Sequence, residues 1–136
     1  MAQLQAHEKQ FNPEHVEPTS EWVDRYLTAL FKEVDSARGT ILVATHNAKV
    51  CGFAAAYVEL EPETQMEYFY ISDLAVDKAL RGQGIGTALI QAMEATARAQ
   101  GYKRMVIGVL ADNVRAHKLY QALGFRNYGI DLLKKL

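Results

Sequence analysis

A single cysteine, Cys51, stands among 136 residues. No disulfide can form within the chain, and no multi-cysteine zinc site exists. No apolar run approaches the ~18–20 residues of a membrane-spanning helix, and the opening MAQLQAHEKQ has no hydrophobic signal region. Charge of one sign is lacking too: fifteen Lys and Arg face sixteen Asp and Glu, a net charge of −1. That balance excludes the global basic field of a general nucleic-acid or anionic-membrane binder. The four histidines, His7, His15, His46 and His117, lack metal-ligand spacing. Gly and Pro are scarce and spread out, and no repeat, linker or low-complexity tract is visible. What remains is a 49% hydrophobic chain of the size of one domain, so residues 1–136 are expected to form a single domain. Cytoplasm is the expected location, with no metal, nucleic acid or membrane as partner.

The hydrophobic pattern alternates between strand and helix periods. Residues 1–18 are polar and end at Pro18. Val23, Tyr26, Leu27, Leu30, Phe31 and Val34 then follow one helical face, with Thr19 or Ser20 as cap and Glu21 in the first turn. Gly39 closes that helix. Thr40–Thr45 and Lys49–Leu60 read as a hairpin turned at His46-Asn47-Ala48, and Met66–Val76 as a third strand. A second helix places Ile85, Ala88, Leu89, Ala92, Met93, Thr96 and Ala97 inward and stops at Gly101. Lys103–Leu110 reads as a buried strand. A shorter helix capped by Asp112 or Asn113 turns Ala116, Leu119, Tyr120 and Leu123 inward, and a last strand runs from Asn127 through Leu133. Strand runs followed by strand–helix–strand units predict a mixed α/β domain with at least one parallel pair.

The chemistry begins at Arg81-Gly82-Gln83-Gly84-Ile85-Gly86-Thr87, between a strand and a helix. Alternate glycines let successive N–H groups turn into one concavity, and the helix start adds unpaired donors and partial positive charge. Such a turn suits a phosphate or pyrophosphate, with Arg81 as a charged clamp. Two familiar phosphate loops fail here. No Gly-Lys-Ser/Thr occurs, and Thr87 stands where the dinucleotide fingerprint needs its third glycine. By itself the turn also suits a tight strand–helix connection.

The turn has company. ISDLAVDKALRGQGIGTALI, followed by NVRAHKLYQALGF, resembles the GNAT superfamily of N-acetyltransferases. Arg81, Gly84 and Gly86 match its Arg/Gln-x-x-Gly-x-Gly/Ala signature, and Leu74-Ala75-Val76 match the preceding strand end. Asn113, Ala116, Leu119, Tyr120, Gly124 and Phe125 match its later Asn-x-x-Ala-x-x-Leu-Tyr and Gly-Phe pattern. The resemblance covers residues 40–136. It implies a mostly antiparallel central sheet with a parallel pair at an acetyl-CoA site, flanked by helices. It also implies a first strand, which Leu4–Phe11 would supply unless the fold is shortened at its N-terminus.

The resemblance further implies that Leu74, Ala75 and Val76 hold the pantetheine arm and acetyl carbonyl through their backbone. Amides of Arg81, Gly82, Gln83, Gly84, Ile85, Gly86 and Thr87 would hold the pyrophosphate. Asn113, which equally suits a helix cap, would reach the pantetheine, and Tyr120, which also suits the core, would protonate the leaving thiolate. Some family members place a glutamate base on the strand where this chain has Tyr70. Asp73 and Glu67 are the nearby carboxylates. Asp73 is the first choice of base, with ammonium binding, a loop hydrogen bond or a water chain as the other readings; Glu67 and Tyr70 are candidate acceptor contacts. Cys51 reads as a small core residue.

Glu59, Glu61, Glu63 and Glu67 form an acidic connection that suits either a cationic amine or a solvated loop. EYFYISDLAV resembles the matching segment of aminoglycoside 3-N-acetyltransferases, which points to polyamine-like or aminosugar acceptors. The expected activity is direct acetyl transfer from acetyl-CoA to a primary amine. A protein or peptide acetyltransferase and a noncatalytic acyl-CoA-binding module are the alternatives. Dimerisation is common in the superfamily, and no segment here shows how a homodimer would form.

Overall fold

The computed structural model describes residues 20–136. Leu4–Phe11, the Thr19 cap and the side chains of Val23, Tyr26 and Leu27 lie outside the described residues. Helix α1 spans Ser20–Ser36. Its Leu30 and Val34 are buried over Ala55, with Ile41, Phe53 and Tyr57 packed around them. Phe31, expected on the same face, is 51% exposed. It lies one position, about 100° of helical rotation, past Leu30, outside the narrow stripe that the sheet covers. Gly39 ends the helix by donating to the Val34 carbonyl at 2.7 Å. A Cβ there would lie 2.5 Å from the Ala56 carbonyl oxygen, so only glycine lets the chain pass.

Strands β1 (Thr40–His46) and β2 (Lys49–Leu60) form the expected hairpin. Asn47 and Ala48 both take positive φ, 50° and 63°, as the two-residue turn of a twisted hairpin requires. Strand β3 (Glu67–Val76) pairs antiparallel with β2, and β4 (Met105–Ile107) pairs parallel with β3, in the order β1-β2-β3-β4. A parallel pair needs a crossover. It is supplied by the short 3₁₀ turn Lys78–Leu80 and by helix α2 (Ile85–Ala99).

The sheet buries both faces. Ala54, Ala56, Phe69 and Ile71 pack on Leu89, Met93 and Ala97 of α2, while Ala55 faces α1. The run Ala54-Ala55-Ala56 is wholly buried, and its small side chains let a helix close on each side. On α2, Ile90 is buried, whereas Ala88 and Ala92 are exposed rather than inward. Alanine fits either environment, so the larger Leu89, Ile90 and Met93 set the phase of the helix.

Helix α3 (Val114–Ala122) follows, with Tyr120 buried and Leu119, expected inward, 36% exposed. Two expected strands change. Lys103–Leu110 shrinks to Met105–Ile107, where its ladder with β3 ends. Asn127–Leu133 forms no strand: Ile130 is 78% exposed and Leu132 93%. Alternating apolar residues make a strand only beside a partner edge, and none of the four described strands pairs with this segment. Among the described residues, no helix is long and apolar enough to cross a membrane.

Candidate active site

The site starts from one extra residue. Ala55 pairs with Asp73 and Ala56 with Ile71, so Ser72 is left over as a bulge in β3. A bulge bends and twists its strand, and here the parallel ladder stops at the same point, with Ile71 opposite Ile107. Beyond it, among the described residues, Asp73–Val76 pairs only with β2. Its other edge, running through Leu74, Ala75 and Val76, presents backbone groups that no described strand pairs. Such an edge accepts an extended, amide-bearing chain as an added strand.

That edge leads directly into the glycine turn. Asp77 caps the 3₁₀ turn by accepting from the Ala79 N–H at 3.0 Å. Arg81 folds back, and its Nε donates to the Val76 carbonyl at 3.1 Å. Gly82 and Gly84 take left-handed φ of 82° and 83°, which a Cβ would strain. Gly84 is the N-cap of α2 without any side-chain cap bond, and no atom lies within 4 Å of where its Cβ would be. Gln83 is exposed, and Ile85 leans into the α2 core. Gly86 lies against the strand end, its absent Cβ 3.9 Å from Val76 Cγ2. With Thr87 the turn enters the helix, and the first N–H groups of α2 are free of intrahelical partners, as an anion site needs.

Helix α3 approaches the same turn. Arg115 Nη2 would lie 3.6 Å from a Cβ on Gly82. The Asn113 side chain accepts from the Ala116 N–H at 3.2 Å, so its helix-capping role is visible. Tyr120 is 9% exposed and packs on Phe125, ring centroids 6.0 Å apart. Among the described residues, none hydrogen-bonds its hydroxyl, and burial pushes its phenol above the ordinary tyrosine range. A buried hydroxyl without a protein partner is rare enough to suggest a ligand or water partner. These residues fit a CoA thioester: a strand edge that no described strand pairs, a glycine-lined turn at a helix start and a phenol that no described residue hydrogen-bonds.

Asp73 lies within the opened stretch, on the α1 face with Ala55, and accepts from the Ser72 hydroxyl at 2.8 Å. Tyr70 lies on that face opposite Tyr57, one residue before the ladder ends. Its hydroxyl would lie 3.4 Å from a Cβ at Gly108, just past β4. Glu67 is not brought to the group. It begins β3, about 30 Å of strand from Val76 at ~3.3 Å per residue, and pairs with Arg38 at 2.5 Å. That pair lines a shallow pocket of about 330 Å³ with Lys103 and Arg104, at the far end of the sheet. His117 bonds Asn127 at 2.8 Å, and Cys51 is buried, its thiol 3.4 Å from the Ala44 carbonyl. Among the described residues, no cluster of His, Cys, Asp or Glu is arranged for a metal.

Three features escaped the sequence reading. The Ser72 bulge and the approach of Arg115 depend on long-range pairing and have no local signal. Tyr57 and Tyr68, which join Tyr70, are visible as aromatic alternation but only their pairing brings them together.

Comparison with known proteins agrees with this geometry. The chain is 32% identical to N-acetyltransferase family 8 member 2 of Rattus norvegicus over 113 residues, 81% of this chain and 50% of that protein. It is 37% identical to the N-acetylaspartate synthetase of the same organism over 87 residues, 64% of this chain and 28% of that one. The chain thus spans half or less of the length of these curated relatives. Among solved structures, a tetramutant of a Bacillus halodurans protein superposes with TM-score 0.76 at 26% identity, covering 99% of this chain and 91% of that one. The model of the acetyltransferase (GNAT) family matches residues 2–125, beginning well before the Thr40 at which the recognisable motifs start. Strands, glycine turn and α3 all fall within that match, and the chain belongs to the acetyltransferase (GNAT) family.

Proposed function

We propose that this chain transfers an acetyl group from acetyl-CoA directly to a primary amine of a small cationic acceptor. The observation that carries the reading is the Asp73–Val76 edge, paired on one side with β2 and on the other with no described strand, ending at the glycine turn. Acetyl-CoA, when bound, supplies an already activated acyl thioester and a thiol leaving group. The chain's own groups do the rest. The edge of Leu74, Ala75 and Val76 binds the pantetheine arm as an added strand. N–H groups of Arg81–Thr87 hold the pyrophosphate at the start of α2. A fixed backbone N–H near Val76 meets the oxyanion as it develops.

Two proton movements remain. Asp73 takes a proton from the acceptor ammonium, directly or through water, so that the neutral amine attacks the thioester carbonyl. Tyr120 gives one to the departing thiolate, and its burial keeps the phenol protonated at neutral pH. Asp73, Glu59 and Glu33 supply the negative field that favours a cationic acceptor. Incubating the protein with acetyl-CoA and a panel of amines, with free thiol and N-acetyl product both measured, tests the reading. Thiol release in step with acetylated small amines supports it. Acetylation of peptide N-termini alone changes the acceptor class, and tight binding without any transfer makes the chain a noncatalytic module.

A further inference from the structure

On the face of the sheet toward α1, three tyrosines meet. Tyr57 and Tyr70 are cross-strand partners with ring centroids 5.6 Å apart and planes at 75°. Tyr68 meets Tyr70 at 6.5 Å and 88°. Tyr70 is therefore a wall from which two rings stand nearly at right angles, and all three are partly exposed. Glu59 is the cross-strand partner of Tyr68 and alternates onto the same face as Tyr57. Burial, then the negative charge of Glu59 and, on α1, of Glu33, push the Tyr57 phenol up, so negative charge acts at this ring. Packed aromatic faces rimmed by negative charge attract a desolvated cation.

Among the described residues, no cation lies over the three rings of this box. Arg104, a cation that acts electrostatically on Tyr68, is engaged elsewhere: its Nη1 pairs with Glu61 at 3.5 Å and its guanidinium lies over Tyr128 at 5.2 Å. The box also stands in a fixed relation to the opened edge. From Tyr70 to Leu74 is four residues of one strand, about 13 Å at ~3.3 Å each. An ammonium in the box lies well along the strand from the thioester carbonyl that Leu74–Val76 would hold.

We infer that Tyr57, Tyr68 and Tyr70, with Glu59 and Glu33, form a cation subsite that holds a second, non-reacting ammonium of the acceptor. This rests on the acetyltransferase reading and narrows it to acceptors with two well-separated cationic nitrogens, of the polyamine kind. The box sets which substrates are chosen, while the opened edge of β3 performs the transfer.

Choline, which cannot be N-acetylated, and its uncharged isostere 3,3-dimethylbutanol probe the box directly by calorimetry. Choline should bind and the isostere should not. Tyr70→Leu and Tyr57→Leu should each weaken choline about fivefold to thirtyfold, the range of a desolvated cation–π contact. Tyr70→Phe and Tyr57→Phe keep the ring and should retain binding, and unchanged acetyl-CoA affinity certifies the fold of every variant. In turnover, Tyr57→Leu should raise the KM for spermidine and leave that for butylamine unchanged. Equal binding of the neutral isostere, or Leu variants that bind choline as wild type does, would overturn the subsite. Failure of the acetyltransferase reading looks different: no amine releases thiol from wild type while choline binding still depends on the rings, which upholds the box and removes the reaction.

Discussion

The guanidinium of Arg81 ties the glycine turn to the strand before it, its Nε donating to the carbonyl of Val76 at 3.1 Å. The last residue of the opened edge and the first of the anion cradle thus move as one unit. Arg81→Lys keeps the charge but loses the planar N–H fork. Acetyl-CoA affinity should fall about tenfold, the scale of one charge-assisted hydrogen bond. Calorimetry on the two proteins checks it, and an unchanged affinity would free the turn from this tie.

Gly84→Val places a branched side chain at φ 83° in open space above the start of α2. CoA binding should be lost because the Cβ occupies the anion's approach. The left-handed backbone adds about 1–2 kcal/mol of destabilisation, so the melting temperature should drop by several degrees. Circular dichroism should still show a folded protein. Retained CoA affinity would move the phosphate site elsewhere.

Tyr120→Phe removes a buried hydroxyl that no described residue hydrogen-bonds. Stability at neutral pH should therefore hold or rise slightly, since no protein hydrogen bond is broken. Turnover should fall by ~10²–10⁴ in kcat and kcat/KM together, the usual worth of general acid catalysis. Wild-type turnover would take Tyr120 out of the mechanism.

The same burial gives an alkaline signature with a definite sign. The folded state holds the Tyr120 proton more tightly than the unfolded chain, so this contribution to stability is intact below the ordinary value of 10.0. It is lost as pH rises through the higher folded value. The alkaline fall of urea midpoints should be shallower in Tyr120→Phe than in wild type. Identical profiles would show that the phenol is not desolvated.

Asp73→Asn separates base from anchor. The Asn amide still accepts from Ser72, which bonds the carboxylate at 2.8 Å, so the bulge should survive. Loss of a base removes the acidic limb of kcat/KM, whereas loss of an ammonium anchor mainly raises the amine KM. Acetyl-CoA affinity should not change in either case. Kinetics equal to wild type would exclude both roles.

Much of this was open to reading before any coordinates. Asn47-Ala48 marked the hairpin, Gly39 and Gly101 the helix ends, and Arg81–Thr87 the cradle, because a turn's chemistry is carried by its own few residues. Errors gathered where a residue's place depends on something distant. Phe31 and Leu119 fit an inward helical face by spacing, yet each lies beyond the strip its helix buries. Asn127–Leu133 alternates like a strand and remains unpaired because alternation does not supply an edge. Glu67, close in sequence to Tyr70, is carried to the far end of β3 and paired with Arg38. An extended strand separates residues that a motif treats as neighbours.

Local chemistry, then, was determined by the sequence itself: glycines where φ is positive, an asparagine where a helix starts, and an arginine beside the cradle. The tertiary structure alone decided where the sheet opens. Ser72 carries no signal as a bulge; it becomes one because Ala55 and Ala56 pair with Asp73 and Ile71. The parallel ladder ends at the same point, opposite Ile107. Register is a property of two strands together, fixed by what each buries on its faces. Only their pairing could leave the Asp73–Val76 edge open and gather three tyrosines on the face beside it.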